Sequence, residues 1–232
     1  MIDFDKDDVK VKRIIKVFVN STIKLMEKDG IENITVRKVA EISGYNPATI
    51  YNYFDNSRQL IFFASINFMK DYFKEIEKII DNSKDPLDNY IELWETFCKY
   101  SFKNPKIYYS IFGENIEEKP TILINKYFKL FPEDFKYTSS MYLPLLTDNV
   151  NDQSNITQPL KECVENGNFT LEESKKIDEV NMLYYHGMLS LIVNNRLSYT
   201  VEVAINKTMD HIEQVINNFE GKTKAYLKER DF

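Results

Sequence analysis

Apolar residues recur every three to four positions near the start of the chain, which predicts an amphipathic helix over about Val9–Lys28. At that spacing they share one face of a helix, which is formed by Ile14, Ile15, Phe18, Thr22, Leu25 and Met26. Gly30 follows directly and is expected to end the helix in a left-handed cap.

The segment 35–60 predicts two short helices joined by a tight turn. Thr35 is placed to cap the first helix with its hydroxyl. Gly44 tolerates the positive φ that a sharp corner requires. Asn46 is a good N-cap and Pro47 a good first helical residue, so a second helix is expected there. In a helix-turn-helix the second helix fits the major groove of DNA.

The rest of the chain reads as helices separated by Pro, Gly and Asn. We expect one long helix over about Ser57–Asn82, then helices after Asp85-Pro86 and after Asn104-Pro105, and shorter ones over Thr121–Phe131 and Thr157–Glu165. Residues 132–157 are expected to be loop with a helical fragment. Two long amphipathic helices, about Leu171–Asn195 and Thr200–Phe219, close the chain. The expected fold is all-α, with a DNA-binding domain over residues 1–56 and a larger helical domain over residues 57–232.

Composition narrows the class of protein. The chain has 232 residues, 43% of them hydrophobic, which fits a globular protein with one substantial core or two smaller ones. No apolar run reaches the roughly 18 residues of a membrane span, and the N-terminus has no apolar signal segment. The two cysteines, Cys98 and Cys163, are expected to be reduced thiols in a cytoplasmic protein.

Charge is distributed unevenly. The net charge is −6, but residues 9–60 hold nine Lys and Arg against five Asp and Glu. The remaining positions are acidic on balance, so positive charge is confined to the front of the chain, where a DNA contact would need it.

The residues 35–60 resemble the DNA-binding domain of the TetR/AcrR family of transcriptional regulators. The pattern is carried by Leu25-Met26, Gly30, Thr35-Val36-Arg37, Val39-Ala40, Ser43-Gly44, Ala48-Thr49-Ile50-Tyr51, Tyr53-Phe54 and Leu60. The resemblance implies three helices for DNA, followed by a helical ligand domain whose last two long helices form a homodimer. It departs from the family at Ser57, where a phosphate-binding Lys is common and Arg58 stands next to it.

Carried over by position, the resemblance implies a set of DNA-binding side chains. Arg37 would reach a guanine edge or a phosphate, and Asn52 a base edge. Tyr51 and Tyr53 would hold phosphates, although one of them could instead pack against the first helix. The full predicted set is Thr35, Arg37, Lys38, Asn46, Pro47, Ala48, Thr49, Tyr51, Asn52, Tyr53 and Arg58.

Aromatic residues are dense in the middle of the chain. They suit either an ordinary core or the wall of a pocket for a lipophilic, aromatic or cationic molecule, and both interpretations stay open. The residues predicted to bind such a ligand are Phe68, Trp94, Phe97, Tyr108, Tyr127, Tyr142, Tyr184 and His186.

These expectations combine into one function with one alternative. The chain is expected to be a repressor that binds double-stranded DNA at a palindromic operator and leaves it when a small effector binds. In the alternative, the body contacts another protein instead of an inducer. A helical ligand carrier with an unused front unit is a further rival. No catalysis, cofactor or metal is expected, because the two histidines lie far apart and no Gly-rich phosphate loop or GxSxG motif occurs. The operator, the effector and the regulated genes are not encoded in any visible pattern.

Overall fold

The computed structural model describes residues 9–80, 84–114, 118–132 and 156–230, with side chains described as far as residue 219. Within these ranges the chain is helical and contains no strand. The helices are α1 (Val9–Asp29), α2 (Val36–Ser43), α3 (Pro47–Ile50), α4 (Ser57–Asn67), α5 (Lys70–Ile80), α6 (Pro86–Lys103), α7 (Pro105–Phe112), α8 (Pro120–Leu130), α9 (Gln158–Glu165), α10 (Leu171–Val193) and α11 (Val201–Arg230). The all-α prediction is confirmed. The predicted loop at 132–157 and the candidate Tyr142 lie outside the described residues, apart from the ends of that loop.

One compact unit contains α1 to α4 together with α7 and α8. Phe18 of α1 is fully buried at its centre and contacts the rings of Tyr45, Tyr53 and Phe54. Helix α4 packs on α1 and on α8, so the first helix and the helix-turn-helix share a core with two helices from later in the sequence. The predicted boundary between a DNA-binding domain over residues 1–56 and a larger helical domain over residues 57–232 stays a prediction.

The second compact unit contains α5, α6, α9, α10 and α11. Helix α6 packs against α9 and α11, and α10 packs against α9 and α11. Trp94 and Phe97 of α6 and Tyr185 of α10 are fully buried and contact one another through their rings. Cys98 and Cys163 are buried free thiols in this unit.

The prediction of one helix over Ser57–Asn82 is wrong. Helix α4 ends at Asn67, and the next amides bond three residues back, Phe68 N to Ser65 O at 3.0 Å and Met69 N to Ile66 O at 2.9 Å. This tighter turn separates α4 from α5. Helix α4 is apolar on nearly every side, whereas α5 buries one stripe, so the two helices meet different surroundings.

Helix α10 has an unusual distribution of polarity. Its sequence predicts a lining of Ile177, Val180, Leu183, Tyr184, Met188, Leu191 and Ile192. In the structure Ile177 is buried, but Leu183 has 67% of its surface exposed, and Val180 and Leu191 are exposed as well. The buried stripe instead includes Ser174, Asp178 and Asn181. This helix therefore buries three polar side chains beside Ile177, Tyr185, Met188 and Leu189, and leaves other apolar side chains exposed.

Candidate nucleic-acid interface

The first helix of the helix-turn-helix begins as the sequence predicts. Thr35 is the extended N-cap of α2, and its hydroxyl accepts a hydrogen bond from the backbone N–H of Lys38 at 3.3 Å. Asn46 is the N-cap of α3, and its side-chain oxygen accepts from the N–H of Ala48 at 2.9 Å. Both caps satisfy amides that a helix start leaves without partners.

The corner between the two helices depends on Gly44. Its φ is 74° and its ψ is 22°, the left-handed conformation that glycine adopts without a steric penalty. The N–H of Tyr45 reaches back to the carbonyl of Ala40 at 3.1 Å, which closes the end of α2. Ala40 is buried where the chain turns.

Helix α3 is shorter than expected, but its turn continues beyond Ile50. The N–H of Tyr53 bonds to the carbonyl of Ile50 at 2.9 Å, and that of Phe54 to the same carbonyl at 3.0 Å. Ile50 and Phe54 are buried, as the sequence predicts. These two anchors fix the residues between them against the core.

Most of the predicted DNA-binding residues are exposed. Arg37 projects from the first turn of α2, and Asn52 follows α3. The exposed members of the set are Thr35, Arg37, Asn46, Pro47, Ala48, Tyr51, Asn52 and Arg58, whereas Lys38, Thr49 and Tyr53 are half-buried. Apolar anchors below and hydrogen-bonding groups above suit a surface that meets DNA phosphates and base edges.

The two tyrosines of this segment have different environments. Tyr51 is 55% exposed. The Tyr53 ring lies 5.8 Å from the Phe18 ring, so it packs against α1. Of the two side chains, that of Tyr51 is the more accessible to a DNA phosphate.

The basic candidates Lys38 and Arg58 are engaged within the unit. The Lys38 ammonium lies 3.1 Å from a carboxylate oxygen of Asp29 and 3.1 Å from the carbonyl of Asn33, at the end of α1. The Arg58 guanidinium lies 4.0 Å from a carboxylate oxygen of Glu114. Lys38 therefore joins α2 to α1, a role that the sequence did not reveal.

The junction between α3 and α4 has a lock that sequence reasoning missed. Asn56 caps α4, because its side-chain oxygen accepts from the N–H of Gln59 at 2.9 Å. Gln59 is buried, and its side-chain oxygen accepts from the N–H of Asp55 at 3.0 Å. An N-cap residue followed three positions later by Gln is the signal that could have identified it.

The predicted ligand-binding residues fall into both units. Tyr108 and Tyr127 are buried in the first unit, where Phe68 is half-buried. Trp94 and Phe97 are buried together in the second. Tyr184 stacks on the ring of His211 with the centroids 3.9 Å apart, and His186 lies beside Tyr185. The assignment of these residues to a ligand stays a prediction.

Comparison with known proteins matches this geometry. Residues 18–63 match the family model of bacterial regulatory proteins of the tetR family. This segment is therefore similar to the DNA-binding domain of tetR-family regulators. An uncharacterized HTH-type transcriptional regulator from Haemophilus influenzae is 25% identical over 88 residues, which are 38% of this chain. The matched region covers 47% of that relative, so this chain spans about half the length of the curated relative it matches.

Solved TetR-family structures share the fold over most of the chain. A TetR-family regulator from Syntrophomonas wolfei has a TM-score of 0.55 at 16% identity, covering 88% of this chain and 95% of its own. The TetR-family repressor FadR of Thermus thermophilus, in complex with lauroyl-CoA, has a TM-score of 0.54 at 12% identity, covering 87% of this chain and 92% of its own. At these identities the likeness shows the fold.

Two further observations concern a membrane or a metal ion as partners of this chain. Over the described ranges, every helix is too short or too polar to cross a lipid bilayer. In the same ranges, no group of three or more His, Cys, Asp or Glu is arranged to hold a metal ion.

Proposed function

We propose that this chain is a dimeric TetR-family repressor that binds a palindromic DNA operator and leaves it when a small, largely apolar or aromatic molecule binds to its helical body. The observation that carries the DNA-binding part is the exposed hydrogen-bonding surface of α2 and α3, held rigidly on Phe18. In this proposal Arg37 and Asn52 read bases, and Thr35, Thr49 and Tyr51 hold phosphates.

Dimerisation is supported by the exposed apolar stripe of α10. Val180, Leu183 and Leu191 lie on one face of the helix and are exposed in the isolated chain. Gly187 stands between them, and nothing lies within 4 Å of the place where a Cβ would be. An apolar stripe interrupted by glycine allows a second helix to approach closely, so a second copy of the chain is the occupant that we propose.

Two contacts within the first unit support a coupling between α7 and the DNA-binding surface. The hydroxyls of Ser65 on α4 and Ser110 on α7 lie 2.8 Å apart in the core. The Lys106 ammonium at the start of α7 contacts the Glu32 carboxylate just before α2. A shift of α7 would therefore move α4 and the start of the helix-turn-helix together, which is the coupling an effector requires.

The effector part is supported by the aromatic core and by a structural neighbour. FadR of Thermus thermophilus shares the fold and binds lauroyl-CoA, which has a long apolar chain. The ring cluster of Trp94, Phe97 and Tyr185 offers an apolar environment in the second unit of this chain. Lauroyl-CoA is therefore one of the compounds to add to the DNA complex, with dodecylammonium as a cationic counterpart.

The test is selection of a binding sequence from random DNA with the purified chain. We expect a palindrome whose half-sites are centred about one helical turn apart, roughly 10 base pairs, or a multiple of it. Arg37→Ala should weaken selection at one position in each half-site by about 1–3 kcal/mol. Lys24→Ala removes the same charge from an exposed position of α1 and should leave the selected sequence unchanged. No selected sequence, or one without two-fold symmetry, would contradict the proposal.

A further inference from the structure

The inward face of α10 includes three polar residues where a core helix is normally apolar. Ser174, Asp178 and Asn181 are spaced by four and three residues, so they lie on one face, and all three are at least 97% buried. Burying such groups is costly unless each finds a hydrogen-bond partner. The stripe therefore requires a reason other than the stability of the core.

The Asp178 carboxylate is only partly satisfied. One of its oxygens accepts a hydrogen bond from the backbone N–H of Thr157, at 3.3 Å, just before α9. The other oxygen has no hydrogen-bond partner among the described residues. An aspartate that is 3% exposed with one oxygen unused is rare in a folded protein.

Two more polar atoms of the second unit share this condition. The Asn181 amide donates to the Tyr90 hydroxyl at 2.9 Å, but its own oxygen has no partner among the described residues. The indole N–H of Trp94, one helical turn after Tyr90 on α6, interacts with the same Tyr90 hydroxyl. The hydroxyl of Ser174 likewise has no hydrogen-bond partner among the described residues, whereas the Thr157 side chain interacts with the Asp178 carboxylate. Polar atoms gathered at one junction are normally satisfied by water or by a ligand.

The unused atoms and their surroundings specify the chemistry of a ligand. The oxygens of Asp178 and Asn181 are acceptors one helical turn apart, so a group that donates two hydrogen bonds suits them. A cationic donor would also compensate the buried carboxylate. The rings of Trp94, Phe97 and Tyr185 pack together in the same unit, and aromatic faces attract cations and apolar chains alike.

We propose that the junction of α6, α9 and α10, centred on Asp178 and Asn181, binds the amine or guanidine head group of the effector, with its apolar body against Trp94, Phe97 and Tyr185. This inference rests on the proposed function, since it names the class of that effector as a lipophilic cation. Because all the site atoms are buried, the head group enters only as the three helices separate. Binding and helix movement are thereby linked.

Trp94 makes the site directly observable, because it is the only tryptophan in the chain. The experiment titrates the full chain, without DNA, with dodecylammonium and with dodecanol, which has the same apolar chain, and follows Trp94 fluorescence below micellar concentrations. Dodecanoate and lauroyl-CoA serve as anionic probes. We expect a saturable change with dodecylammonium at concentrations at least about tenfold lower than with the other three, since only the cation can pair with Asp178.

Variants separate the site from general attraction to an acidic protein. Asp178→Asn keeps the shape and should lower the affinity for dodecylammonium at least about tenfold while leaving dodecanol unchanged. Asp210→Asn, at an exposed position of α11, should alter neither. Circular dichroism would report whether Asp178→Asn disturbs folding. Ser174→Ala, a smaller change in the same site, then serves as the second variant and should weaken amine binding several-fold.

The inference is overturned if dodecanol or an anionic probe binds as well as dodecylammonium, or if Asp178→Asn and Ser174→Ala both bind it as the wild type does. Failure of this inference remains distinguishable from failure of the proposed function. A selected operator that still binds the chain leaves the repressor proposal standing, with a different effector. A chain that selects no DNA refutes the repressor whatever the fluorescence shows.

Discussion

The ring of Tyr53 lies 5.8 Å from the ring of Phe18, so contact between these two residues holds the turn after α3 against α1. Tyr51, two residues earlier, leaves more than half of its surface exposed. Two tyrosines with equivalent chemistry in the sequence therefore have different tasks, one in packing and one at the surface.

Substitution of these tyrosines should separate stability from DNA affinity. Tyr53→Ala is expected to lower the free energy of unfolding by about 2 kcal/mol, because it empties a half-buried aromatic contact. Tyr51→Ala should change it by less than about 0.5 kcal/mol. In gel shifts Tyr51→Ala should weaken DNA binding by about fivefold through loss of a phosphate contact. Equal effects of the two variants in urea unfolding would refute this division.

Gly44 should tolerate only residues that accept a left-handed backbone. Nothing lies within 4 Å of a Cβ added there, so a substitution is strained by its φ of 74° alone. Gly44→Ala is expected to cost about 1 kcal/mol of stability in thermal or urea unfolding. Gly44→Asn should cost less, because asparagine visits this conformation more readily. A loss that is equal for both variants would point to a steric cause instead.

A charged substitution in the exposed apolar stripe of α10 should change the oligomeric state of the chain. Leu183→Glu places a charge at the most exposed apolar position of the helix and should shift the chain from dimer to monomer in sedimentation experiments. Its far-UV circular dichroism should be unchanged, because Leu183 contributes little to the core of the isolated chain. Asn20→Glu adds the same charge to an exposed position of α1 and should leave the dimer intact. A wild-type chain that sediments as a monomer would refute the assignment of this stripe.

The buried hydrogen bond between Tyr90 and Asn181 should appear in a double-mutant cycle. Tyr90→Phe leaves the Asn181 amide without its acceptor and is expected to lower stability by about 1–3 kcal/mol. Asn181→Leu removes the partner and its unsatisfied oxygen together. The two substitutions combined should cost less than the sum of the single effects, with a coupling of about 1 kcal/mol in urea unfolding. Strict additivity would show that the bond contributes nothing.

Asp178 should make stability depend on pH in a direction opposite to most carboxylates. Burial raises the pKa of Asp178 from 3.8 to about 7. Between these values the folded chain binds more protons than the unfolded chain, so the contribution of Asp178 to stability falls as the pH rises. The free energy of unfolding of Asp178→Asn, relative to wild type, should therefore increase by about 2–3 kcal/mol from pH 5 to pH 8. The measurement is urea unfolding of both chains across this pH range, and a difference that stays constant with pH would contradict the prediction.

The helix-turn-helix was predictable because its signals are local. Caps at Thr35 and Asn46, the corner at Gly44 and the buried anchors Ile50 and Phe54 all follow from the preferences of single residues and from spacing. The break between α4 and α5 has no such signal, since no Gly or Pro occurs between Ser57 and Ile80. It arises where α4, which is buried on nearly every side, is followed by α5, which buries one stripe. Those contacts come from residues far away in sequence, so a local pattern does not reveal them.

The polarity of α10 was the other property that periodicity could not assign. The helix carries an apolar stripe and a polar one, and the usual rule places the apolar stripe inside. The structure buries Asp178 and Asn181 and exposes Leu183. Which face is internal depends on what α6 and α9 present to it, and those contacts bridge residues far apart in sequence.

The burial of both cysteines has a practical consequence. Cys98 and Cys163 are inaccessible, and loss of solvation raises the pKa of both thiols, to about 12 for Cys163, so neither forms a reactive thiolate near neutral pH. Neither cysteine therefore has to be replaced before a dye or spin label is attached at an introduced cysteine. A single cysteine introduced at Lys24, on the surface of the DNA-binding unit, would give each protomer one label. In the proposed dimer, the distance between the two labels in solution would then report the separation of the two DNA-binding surfaces, with and without an effector.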